Sequence, residues 1–183
     1  MLGVVLPEGY TLTVWWPGMN KQTFIGRRAD VTTVATRVVS AISGGAFRPW
    51  HYANTENERH QLIRDMLGQE SGHVLFYAWD RPAGGKAGQY PGHQLKIVYN
   101  GRVGAAHFTN SDPEYGPVGA WLAHADQPPA DPSGVVYDPW DPDRISLPAD
   151  ALLSLGRLHE IAEEYATTGQ RPTAVQWTSV QWV

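Results

Sequence analysis

Eight carboxylates crowd one stretch of this 183-residue chain. Between Asn110 and Asp150 lie Asp112, Glu114, Asp126, Asp131, Asp138, Asp141, Asp143 and Asp150, opposed only by Arg144. That segment carries −7 of a net charge of −4, so the rest of the chain is at +3. Acids in such a block form a solvated face or a surface for a basic partner. Aromatic residues sit among them: Tyr115, Tyr137 and Trp140. Tyr and Trp are the usual anchors of contact surfaces.

Signals for bond-making chemistry are sparse. There is no cysteine, which removes disulfides, thiol nucleophiles and thiolate metal sites. The histidines are His51, His60, His73, His93, His107, His124 and His159, and no two have the spacing of a helical zinc pair. His93, His107 and His124 would converge only if adjacent strands brought them together. Ser71-Gly72-His73 is not a nucleophile elbow, and Gly84-Gly85-Lys86 has neither the spacing nor the hydroxyl of a phosphate loop. Glu163 and Glu164 are helical neighbours and point to different faces. The alternatives are a small enzyme with an Asp/His site around Asp112, His124 and Asp126, and a generic protein-interaction module. These observations favour a chain that is not an enzyme and needs neither metal nor cofactor.

The elements that position these residues read as follows. Thr11 to Trp16 and Gln22 to Ile25 suggest a hairpin. Asp30 is expected to cap a helix reaching about Ser43, with Val31, Val34, Ala35, Val38 and Ile42 as its buried stripe. Gly45 to Asn54 is irregular. Thr55-x-x-Glu58 has capping-box spacing and opens a short helix with Leu62, Ile63 and Met66 inward. Val74 to Trp79 lacks alternation, as a central strand does. Gln94 to Tyr99 and Arg102 to Phe108, joined by Asn100-Gly101, form the clearest hairpin. Val118 to His124 is a further strand, and Gln127 to Ser133 is a proline-rich linker. Short strands are expected at Val135 to Tyr137 and Arg144 to Leu147. A helix is expected from Pro148 to Thr168, stopped by Gly169 and Pro172. A strand from Thr173 through Trp177 closes the chain. The sum is one α+β domain over residues 1–183. It has a mostly antiparallel sheet of five to seven strands with two or three helices packed on one side.

The end of the chain carries a specific pattern: Tyr165, Thr168, Gly169, Arg171, Pro172, Val175 and Trp177. This resembles the C-terminal signature of the first immunity-protein family of bacterial polymorphic toxin systems. Val135 to Pro148 resembles the strand pair that leads into the family's last helix, and Gly72 to Asn110 its central strands. The resemblance covers roughly residues 70 to 178; Gly44 to Asn54 reads as an insertion. It implies a cytoplasmic, non-enzymatic protein without cofactor, whose partner is a cognate toxin domain of deaminase type rather than nucleic acid or a membrane. Arg171, Pro172 and Trp177 are expected to hold the helix–strand junction. The expected contact surface is Asp112, Glu114, Tyr115, Asp126, Tyr137, Asp138, Trp140, Asp141 and Asp143. The competing surface is Phe47, Trp50, His51 and Tyr52. The amino terminus has no basic n-region, and its apolar run is too short for a signal peptide. No 18-residue apolar run suggests a membrane span.

Overall fold

A computed structural model describes residues 11–14, 22–25, 37–43, 49–79, 91–126 and 147–181. The chain divides into two compact units, residues 1–36 and 37–183. In the first, β1 (Thr11–Val14) and β2 (Gln22–Ile25) pair antiparallel, with Thr11 opposite Ile25 and Val14 opposite Gln22. This is the expected hairpin.

Among its described residues, the second unit is one antiparallel sheet of eight strands with two α-helices packed against it. Its strands are β3 (Val38–Ser43), β4 (His51–Ala53), β5 (Gly72–Trp79), β6 (His93–Tyr99), β7 (Val103–Asn110), β8 (Gly119–His124), β9 (Leu153–Ser154) and β10 (Gln176–Val180). Their order is β10-β8-β7-β6-β5-β3-β4, and β9 pairs with β7 at Val103 and Gly104, short of where β8 pairs with it. Helices α1 (Glu56–Leu67) and α2 (Leu155–Thr168) supply Ile63, Leu67, Leu158, Ile161 and Tyr165 to the main core. From the sheet, Val74, Phe76, Leu95, Ile97 and Phe108 meet them.

Residues 38–43 are strand, not the end of a helix; residues 30–36 lie outside the described part. Val39, Ser40 and Ala41 are all fully buried, because β3 sits between β4 and β5. A strand buried on both faces loses its alternation, and its apolar run fits a helical stripe equally well. The β-branched Val38, Val39 and Ile42 favour the extended form. With β4 and β9, which the sequence did not mark as strands, this raises the count to eight.

The capping box of α1 forms as expected. Glu58 N–H donates to Thr55 Oγ1 at 3.3 Å, and Thr55 N–H to the Glu58 carboxylate at 3.1 Å. The backbone N–H of Asn54, at 2.7 Å, and then that of Thr55 hold the Glu58 carboxyl below its ordinary pKa. The β6–β7 hairpin turns on Gly101, whose φ is +84°. A Cβ there would run into the Glu70 carbonyl oxygen, so glycine is needed for space as well as for conformation.

The last helix begins at Leu155, not Pro148. Ser154 caps it, its Oγ accepting from Arg157 N–H at 3.3 Å. Pro148 instead precedes a single 3₁₀ turn, Ala149–Ala151. The reason lies in three consecutive apolar residues. Ala151 packs with Ala105 and Leu122, Leu152 with Val98 and Val103, and Leu153 in the main core. Ala105, Leu122 and Val98 lie on the sheet face away from the helices. The chain therefore passes from one sheet face to the other here, which a helix could not do. The expected strands at 135–137 and 144–147 fall outside the described residues, except Leu147, which is not in a strand.

Candidate interaction surface

The junction of α2 and β10 is built by the residues of the C-terminal pattern. Tyr165 is fully buried, its hydroxyl 2.9 Å from His93 Nδ1 and edge-on to Phe108. Gly169 takes the left-handed conformation at φ +66°, and its N–H donates to the Tyr165 carbonyl at 2.7 Å. The Arg171 guanidinium lies 4.4 Å from the centre of the Trp121 ring. Pro172 is fully buried, and its carbonyl accepts from Trp177 Nε1 at 2.6 Å. The Glu164 carboxylate accepts from Thr173 N–H at 2.7 Å and Ala174 N–H at 3.1 Å. This pins residues 173–174 to the helix, so the strand starts at Gln176 rather than Thr173. Glu163 turns the other way, 2.7 Å from His60 Nδ1 on α1.

One end of the sheet carries a pinned loop. His93, the first residue of β6, lies under Tyr115 with ring centres 4.2 Å apart. Asn110 fixes the β7–β8 connection. Its Nδ2 donates to the carbonyls of Gly116 (3.2 Å) and Pro117 (3.1 Å), and its Oδ1 accepts from Asp112 N–H at 3.0 Å. Ser111 N–H donates to the Gly92 carbonyl at 2.6 Å. Beside this loop lies an open concavity of about 330 Å³, bordered by Gly92, Thr109, Val118, Gly119, Ala120 and Val180. Val118 is 60% exposed, unusual for a large apolar residue. The Asp112-Pro113 turn was legible as a turn; nothing in the sequence marked Asn110 as its anchor or Val118 as exposed.

The expected contact residues do not share one place. Asp112, Glu114 and Tyr115 precede β8, whereas Asp126 follows it. Six strand residues separate the two groups by roughly 20 Å, at ~3.3 Å per residue. Asp126 neighbours a different pair, His124 Nδ1 and Asp150 Oδ2, 3.2 Å apart. Asp112 and His124 therefore cannot act on one substrate atom as an Asp/His site. Tyr137, Asp138, Trp140, Asp141 and Asp143 lie outside the described residues.

The histidines also separate. His93 faces the helices with Leu95 and Ile97, while His107 and His124 face the other side of the sheet, by strand alternation. Among the described residues, no three His, Asp or Glu are grouped to hold a metal ion. No helix among them is long and apolar enough to cross a membrane.

A second patch lies at the opposite edge of the sheet. Trp50 is 6.5 Å from Tyr52 and 5.4 Å from Tyr77, ring centre to ring centre. His51 and Tyr52 are exposed. Phe47 lies outside the described residues.

This geometry defines an α+β protein whose signature residues brace a helix–strand junction beneath a rigid loop. The chain belongs to the family of Immunity protein Imm1, whose family model matches residues 50–179, 130 of the 183 positions. The match extends the resemblance upstream to take in β4 and α1, and with them residues 50–54 of the segment read as an insertion. Among curated proteins, none matches the chain. Membership makes this an immunity protein, with a cognate toxin as its partner.

Proposed function

We propose that the chain neutralises a nucleic-acid deaminase domain of a polymorphic toxin system, in the cytoplasm of the producing cell, by covering its active site or substrate groove. A nucleic-acid deaminase acts through zinc-activated water in a pocket that admits a base, approached along a basic groove. An inhibitor need only block that route, and it needs no catalytic group or cofactor of its own.

The observation that carries this reading, beyond family membership, is the charge of −7 packed into residues 110–150. Carboxylates presented to a basic groove complement it and accelerate encounter, while a few buried anchors set the residence time. Asp138, Asp141 and Asp143 surround Trp140 in that segment. The test is the association rate with a deaminase toxin domain at low and high salt. Changing Asp138, Asp141 and Asp143 together to Lys should slow association by about tenfold or more at low salt and reduce its salt dependence. Trp140→Ala should instead speed dissociation. An unchanged association rate at low salt removes the phosphate-mimic reading. It then favours the other surface that an observation supports, the stacked Trp50–Tyr52 pair, of which Tyr52 is exposed.

A further inference from the structure

We infer that the free edge of β10 and the concavity beside it receive an extended segment of the toxin, which adds to the sheet as a further strand and places one aliphatic side chain in the concavity. This rests on the immunity reading above, but not on the toxin being a deaminase.

The two edges of the sheet differ. Strand β4 has only three residues and closely follows Pro49. Shortness and proline are devices that keep an edge from pairing. Strand β10 has five residues, Gln176, Trp177, Thr178, Ser179 and Val180, with no charge and no proline. Its register with β8 is continuous from Gln176 opposite His124 to Val180 opposite Ala120, so no bulge twists it away. Among the described residues β10 pairs with β8 alone. Alternate residues of such a strand hold N–H and C=O groups outward, ready to accept an added strand. The outward-facing chemistry is polar but uncharged: Gln176, Thr178 and Ser179 are exposed.

The concavity supplies what backbone pairing alone lacks, namely side-chain selectivity. Thr109, Ala120 and Val180 stand in register across β7, β8 and β10 and form its floor. Gly92 and Gly119 also border it, and exposed Val118 stands beside it. A strand laid outside β10 would send alternate side chains onto the face that Val180 occupies, next to this hollow. Because Asn110, itself a lining residue, already holds the Gly116–Pro117 segment that leads to Val118, little ordering is needed on binding.

The occupant is the toxin rather than a second copy of this chain. Two copies pairing antiparallel about Thr178 would set the Val180 end of one beside Gln176 of the other. Gln176 is polar, and Trp177 is tied by its Nε1 to Pro172, so neither offers an aliphatic group to the hollow. Each copy also carries a net charge of −4. A toxin segment of mixed aliphatic and basic residues suits both the hollow and a chain whose net charge is −4.

The experiment uses the full chain and the catalytically inactivated toxin domain encoded beside it. Amide hydrogen exchange is followed over residues 176–180, free and in the complex. Affinities are compared for the parent, Val118→Asp and Thr178→Lys, both at exposed positions, with thermal melts to confirm folding. The expected result is slowed exchange at alternate β10 amides in the complex and affinity weakened about tenfold or more in each variant, mainly through faster dissociation. A complex with unchanged β10 exchange and both affinities within about twofold of the parent overturns this inference and leaves the immunity reading standing. Protection of β10 that rises with the concentration of the chain alone, together with dimer formation, overturns it in favour of a second copy. Failure of any complex to form overturns both.

Discussion

Tyr165 and His93, 72 residues apart in sequence, meet in the core with the Tyr165 hydroxyl 2.9 Å from His93 Nδ1. His93 in turn carries Tyr115 on its ring, 4.2 Å between centres. The helix that ends in the family pattern thus supports, through one histidine, the loop that holds Asp112 and Glu114. Tyr165→Phe removes the hydroxyl and keeps the ring, leaving a buried polar nitrogen short of a partner. It should cost about 1–3 kcal/mol in urea unfolding. Retention of the parent midpoint would show that the hydroxyl contributes nothing to the core.

The junction itself gives a second prediction. Trp177 is half-buried, packs on the core and donates to the Pro172 carbonyl. Trp177→Ala should destabilise by about 2–4 kcal/mol, below the loss for a fully buried ring. Gly169→Val should also destabilise, because a β-branched residue resists φ +66°. Thermal melts of both variants matching the parent would refute this account of the helix stop.

Gly101 is constrained twice, by its positive φ and by the Glu70 carbonyl. Gly101→Ala should destabilise the β6–β7 hairpin by about 1–3 kcal/mol. Exchange of the β6 and β7 amides reports this directly, and unchanged protection there would mean that the turn relaxes without loss.

The two helices are linked by a titrating pair. The hydrogen bond and charge of Glu163 raise the His60 pKa, with Glu56 adding to the effect, so protonated His60 is favoured in the folded state. A raised folded pKa contributes stability that is full below the unfolded value, about 6.5, and is lost as pH rises through the folded value. His60→Gln should therefore lessen a decline in stability that the parent shows as pH rises above about 6.5. Denaturation midpoints across that range decide it; identical slopes for the two proteins would remove His60 as the cause. Partial exposure of both side chains keeps the effect small.

Much of the architecture was legible because local signals agreed with tertiary demands. Thr55 and Glu58 sit in capping-box spacing and cap α1; Asn100-Gly101 turns the hairpin; Gly169 stops α2. The errors fell where one local signal had two readings. Val38 to Ser43 is buried on both faces, so its apolar run resembled a helical stripe. Pro148 and Asp150 are good helix openers, yet Ala151 to Leu153 had to serve both sides of the sheet, and the helix waited for Ser154. Thr173 alternates like a strand residue, but Glu164, nine positions earlier, captures its N–H. The surface was less legible. Asp112 and Asp126 look like neighbours in an acidic segment, and only the course of β8 sends them to opposite ends of the sheet. The exposure of Val118, and the position of β10 at the sheet edge among the described residues, depend on which strands lie beside them, which no local pattern encodes.

The central claim is that this chain silences a deaminase toxin by binding it. The most direct measurement is the activity of a deaminase toxin domain on a nucleic-acid substrate, titrated with the purified chain. The account predicts a linear fall to zero activity at one chain per toxin domain. Full activity with the chain in molar excess would contradict it.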